Sequence, residues 1–117
     1  MMSKRDVSII MKLIGESSAL ESMLKGVDES AFLNNDEKKR ATCMTLINIG
    51  ELIKNLDAGF RKRYDHIPWK DMAGLRDIAA HGYFTLRMRD IWIYASMELP
   101  LFAAQIKEIL ETEEQAP

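Results

Sequence analysis

The chain has 117 residues, 47% of them apolar and 29% charged, with a formal net charge of −2. That is one domain, residues 1–117, with room for a single modest core. The balance is that of a soluble globular protein, and no apolar run approaches the roughly 20 residues needed to cross a bilayer.

Sparse glycine (6) and proline (3), against eight methionines and abundant Leu, Ile and Ala, predict an all-α, up-and-down bundle of four to five helices with no strand. Met1-Met2-Ser3-Lys4-Arg5-Asp6 leads into an amphipathic pattern and not into a signal-peptide core, so the expected location is cytoplasmic. From about residue 4 to 25, Val7, Ile10, Ile14, Leu20, Leu24 and Val27 recur at helical spacing, and Gly26 is a plausible stop. Asp28 reads as the cap of a single turn carrying Ala31, Phe32 and Leu33. A long helix should begin near Asp36, acting as its cap, with a face of Ala41, Thr45, Ile49, Leu52, Leu56 and Phe60. Within it, Cys43 reads as a small buried residue; one cysteine excludes an internal disulfide and fits a reducing compartment. Gly50, inside the same helix, costs about 1 kcal/mol relative to alanine, which close approach of another helix, from this chain or a second copy, would explain.

Residues 65–68 form a linker, and Trp69 opens a further helix expected to end around His81-Gly82. Met88, Ile91, Trp92, Ala95, Leu99, Phe102, Ile106, Ile109 and Leu110 then make one apolar stripe, interrupted by Pro100, where a kink or break is expected.

The polar chemistry concentrates in Arg76-Asp77-Ile78-Ala79-Ala80-His81-Gly82-Tyr83. Arginine is a permanent cation suited to phosphate, and histidine exchanges a proton near neutral pH. Cleavage of a phosphodiester by its own 2′-hydroxyl needs those two functions and no metal. The surroundings suit such a substrate: residues 54–89 hold eight basic and four acidic side chains inside an otherwise acidic chain. Arg61, Lys62 and Arg63 in this stretch are candidate RNA contacts. Asp77 stands four residues before His81, on the same helix face, and can fix the imidazole tautomer. In a regular helix Arg76 and His81 diverge by about 140°, so they converge only if the helix ends at His81, which would also put Tyr83 on the following loop, or if the Arg76 side chain reaches round. Transesterification wants both a base and an acid, and the other histidine, His66, sits in the linker. Two copies of the motif across a two-fold axis would supply both, which predicts a homodimer. Two histidines and one cysteine without paired ligand spacing argue against a zinc site, and no phosphate loop or nucleophile elbow is present, so no metal or cofactor is expected.

Ile49-Gly50-Glu51, Ile67-Pro68-Trp69-Lys70-Asp71 and Gly74-Leu75-Arg76-Asp77 through His81-Gly82-Tyr83-Phe84, in that order, resemble the HepT-like branch of the HEPN superfamily, over nearly the whole chain. The resemblance implies a dimeric, metal-independent endoribonuclease toxin of a toxin–antitoxin module, with Arg76 and His81 catalytic. It further implies a minimal nucleotidyltransferase antitoxin as partner, which adds AMP to Tyr83. Asp77 replaces the asparagine that commonly follows the family's arginine, lowering local positive potential. Glu51 is either a rim residue of the site or a solvated acid. A helical module of the same fold that binds nucleotide or a partner without catalysis is the alternative.

Overall fold

The computed structural model describes residues 2–85 and 87–115, with side chains at 82–85 and 115 outside the described set. The first four helices each begin where a short polar side chain accepts from the free amides of the first turn. Ser3 Oγ accepts from Asp6 N at 3.0 Å to open α1 (Lys4–Leu24), and Asp28 Oδ1 accepts from Ala31 N at 2.8 Å to open α2 (Glu29–Leu33). Gly26 lies between them with φ 75°, the left-handed region where glycine carries no steric penalty, so the expected stop is observed.

The long helix α3 spans Asp36–Lys54, but Asn35 caps it, not Asp36: Asn35 Oδ1 accepts from Lys38 N at 3.0 Å. Asp36 is instead the first helical residue, and its carboxylate binds Arg40 one turn on. Nor does α3 reach Phe60. Asn55 ends it, donating Nδ2 to the Glu51 carbonyl at 2.9 Å, and Asp57 caps a separate short helix, α4 (Ala58–Arg63). Leu56 and Phe60 still reach the core, each 3% exposed, but from the turn and from α4.

Trp69 starts α5, as expected, and the indole fixes that start: Nε1 donates to the Tyr64 carbonyl at 3.0 Å, and the ring meets Phe102 edge-on at 5.7 Å. The expected end at His81-Gly82 is not seen, because α5 runs to Thr85. A helix-interior glycine costs only about 1 kcal/mol, which a long packed helix absorbs.

Pro100 produces no break. α6 (Met88–Ile93), a π-helical turn (Tyr94–Glu98) and α7 (Leu99–Gln115) follow one another without interruption. Proline removes one backbone donor and crowds the carbonyl four residues earlier, here Ser96. The wider π turn, with Leu99 N donating to the Tyr94 carbonyl, relieves that crowding.

The result is all-α, with no strand among the described residues. α3 packs against α5 and α1, and α1 against α7. Ile10, Leu13, Leu46, Ile49, Ile53, Leu75 and Ile106 are essentially sealed from solvent, each stabilising the fold by about 1.5–3 kcal/mol. Cys43 lies in this core, and burial pushes its thiol pKa up, as suits a packing residue. Among the described residues, no helix is long and apolar enough to cross a membrane. Gly15 is different: a Cβ there would meet nothing within 4 Å on α1. Gly15→Ala is therefore expected to stabilise the chain by about 0.5–1 kcal/mol, read as a rise in the urea midpoint with unchanged slope; destabilisation would show that α1 needs the glycine.

Candidate active site

The site is built on a close contact between α3 and α5. A Cβ placed on Gly50 would lie 2.4 Å from Arg76 Cβ, 2.8 Å from the Ala73 carbonyl and 2.9 Å from Arg76 N. The helix that Gly50 admits is therefore α5 of the same chain. Because α3 and α5 touch there, the residue after Gly50 is within reach of Arg76. Glu51 Oε1 accepts from Arg76 Nε at 2.8 Å. Glu51 is thus a direct hydrogen-bond partner of the candidate catalytic arginine.

A second carboxylate meets the same guanidinium: Arg76 Nη1 donates to Asp77 Oδ1 at 3.0 Å. Asp77, expected to orient His81, is engaged here with its neighbour in sequence. These two hydrogen bonds, Asp77 first and Glu51 next, hold the Arg76 pKa above its ordinary value. Neither bond uses Nη2. The Arg76 side chain is 39% exposed, so a cation accessible to solvent sits at the α3–α5 seam.

His81 lies on the same helix, five residues on, and is exposed. Because α5 continues to Thr85, the regular-helix geometry applies, and the two side chains leave the helix about 140° apart. The helix end expected at His81 is therefore not what sets their relative placement. Tyr83 is carried by the last turns of α5 and not by a loop, and its side chain lies outside the described residues.

The basic trio on α4 is not a uniform set. Arg63 Nη2 is 2.7 Å from Glu113 Oε1, which also accepts from the Tyr64 hydroxyl at 2.9 Å, so Arg63 ties α4 to α7. Arg61 is half-buried and Lys62 exposed. α4 packs by Phe60 against Trp69, 6.0 Å between ring centroids, at the start of α5. That start is seven residues, or about 10 Å along the axis, before Arg76. No group of His, Cys, Asp and Glu suited to a metal occurs among the described residues.

The engagement of Glu51 with Arg76 was the feature least visible in the sequence. Its one signal was Gly50 in a helix interior, which marks a close approach without saying to what.

Comparison with known proteins identifies a family for the chain. The family model described as "Ribonuclease HepT-like" matches residues 13–109. The chain is 37% identical over 101 residues to "Putative RNase TTE0752" of Caldanaerobacter subterraneus, covering 86% of this chain and 90% of that protein. It is 30% identical over 115 residues to "Putative RNase MJ0125" of Methanocaldococcus jannaschii, covering 97% and 99%. To "Probable ribonuclease HepT" of Thermococcus cleftensis it is 27% identical over 90 residues, covering 77% and 82%. No solved structure gives a significant match. With the family model spanning most of the chain and the motif residues carried on an all-α scaffold, the chain is a HEPN domain and belongs to the HepT-like ribonuclease family.

Proposed function

We propose that the chain is a metal-independent endoribonuclease toxin, active as a homodimer, with Arg76 and His81 as its catalytic residues. The observation that carries this reading is the position of both groups on one uninterrupted helix, splayed by about 140°. Arg76 of one subunit and His81 of another can meet across a two-fold axis, which spares the arginine from reaching round its own helix to share a phosphate with its own histidine. Gly74 supports such a contact: it lies seven residues before His81 on the same face, and a Cβ there would meet nothing within 4 Å.

In the reaction, the 2′-hydroxyl of RNA loses its proton to one imidazole and its oxygen bonds to phosphorus. The phosphorus–O5′ bond breaks, and the departing oxygen takes a proton from the other imidazole. Arg76 binds the nonbridging oxygens, on which negative charge grows in the pentacoordinate state. The products are a 2′,3′-cyclic phosphate and a 5′-hydroxyl.

Control of the site rests with a minimal nucleotidyltransferase antitoxin that adds AMP to Tyr83. Two residues beyond His81, an added phosphate and adenosine would oppose RNA by charge and by volume. The purified chain is expected to cut RNA in the presence of a chelator and to leave cyclic phosphate ends. Incubation with ATP and a nucleotidyltransferase encoded beside it should add AMP mass to the wild type but not to Tyr83→Phe, with loss of cleavage in the modified form. Cleavage that needs added magnesium would overturn the mechanism. Unchanged modification of Tyr83→Phe would move the control to another residue.

A further inference from the structure

The two carboxylates on Arg76 do not occupy equivalent positions. Glu51 comes from α3, across the seam that Gly50 makes possible, and takes Nε. Asp77 comes from the same helix as Arg76 and takes Nη1. A guanidinium offers a phosphate two forks, Nε with Nη2 along its side and Nη1 with Nη2 at its end. One donor of each fork is therefore already held by a carboxylate.

The charge count sharpens the point: one guanidinium faces two carboxylates, so this cluster carries net negative charge and disfavours a phosphate. An anion must displace one carboxylate to gain a full fork. The Glu51 bond is the shorter, at 2.8 Å, and its side chain is less exposed, 50% against 62% for Asp77. Displacing Glu51 would also free the arginine from α3, leaving only its own helix to orient it. Displacing Asp77 opens the end-on fork while the Nε bond still fixes the guanidinium plane.

We infer that Asp77 is an exchangeable anionic gate over Arg76, displaced when an RNA phosphate takes the Nη1–Nη2 fork, and that Glu51 is the positioning residue that keeps the guanidinium aimed during that exchange. This inference rests on the proposed RNase reading and assigns these two acids distinct roles within it.

Binding is measured with an oligonucleotide carrying 2′-deoxy sugars, which cannot be cut by transesterification, so its result does not depend on cleavage. Asp77→Asn should bind about fivefold more tightly at low salt, the effect of removing one unit charge a few Å from the phosphate in water. That advantage should shrink as salt is raised, as expected for a screened exposed charge. Glu51→Ala should bind at least as tightly as wild type yet cut ribo-oligonucleotide with kcat lowered about tenfold or more, because the donor is present but no longer aimed. Glu51→Gln, which keeps an acceptor for Nε, should recover most of kcat. Unchanged or weaker binding by Asp77→Asn would overturn the gate. Unchanged kcat in Glu51→Ala, or failure of Glu51→Gln to recover it, would overturn the brace. A wild type that binds the uncleavable strand but never cuts RNA would instead refute the RNase reading while leaving the gate measurable.

Discussion

Arg76→Ala and His81→Ala are each expected to remove nearly all RNA cleavage while leaving the helical content intact. Both side chains project from α5 into solvent and neither contributes to the sealed core. Loss of a preorganised donor aimed at developing charge typically costs ~10²–10³ in rate, and loss of a proton-transfer group ~10²–10⁴. Arg76→Lys should rescue little. An ammonium is a point charge without the planar fork, so it cannot hold the Glu51 bond and present two parallel donors to phosphate together. Single-turnover cleavage of a fluorogenic RNA, beside far-ultraviolet circular dichroism, checks both halves of the expectation. Either alanine variant retaining full activity would remove its residue from the site.

Gly50→Ala should damage stability and activity together. The new methyl would meet Arg76 Cβ, the Ala73 carbonyl and Arg76 N, none of which can rotate away, so α3 and α5 must separate. Overpacking of this kind costs about 1–3 kcal/mol or more, against a helix-propensity gain of at most about 1 kcal/mol. A net loss of about 2 kcal/mol corresponds to a fall in Tm of roughly 8 °C in a chain of this size. Separation also shifts Arg76 relative to Glu51, and a displacement of about 1 Å at a catalytic group can cost ~10² in rate. Gly15→Ala is the internal control, since the same substitution in an open helix face should raise stability and leave cleavage alone. A Gly50→Ala protein as stable and active as wild type would mean that α3 does not position the arginine.

Which features the sequence revealed follows from how local their causes are. The starts of α2 and α5, the glycine stop after α1 and most of the apolar faces were legible, because caps, backbone freedom and periodicity act within a few residues; Val7, read into the α1 face, is instead exposed. Choosing Asp36 over Asn35 as a cap failed because both are good caps one residue apart, and only the chain's entry geometry separates them. Phe60 fitted the extended apolar pattern of α3 yet belongs to α4, since the capping of Asp57 outweighed periodicity. The end of α5 was misplaced for the opposite reason: Gly82 permits a stop but does not require one.

At the site, Arg76 and His81 were legible as candidate chemistry, because a permanent cation and a proton-exchanging group stand five residues apart. The Glu51–Arg76 bond was not, as it joins residues 25 apart and depends on how closely two helices approach. Gly50 announced the approach, but its partner could be named only once α5 was seen against α3.

Complementation between two inactive subunits tests the shared site most directly. Arg76→Ala and His81→Ala chains, tagged differently and co-expressed, can be purified as mixed dimers carrying one intact arginine on one subunit and one intact histidine on the other. If those groups act together across a two-fold axis, the mixed dimer should cleave well above either homodimer, without added metal, yet below wild type because one of the two proton-transfer groups is missing. A mixed dimer that forms quantitatively yet stays as inactive as the two homodimers would contradict it.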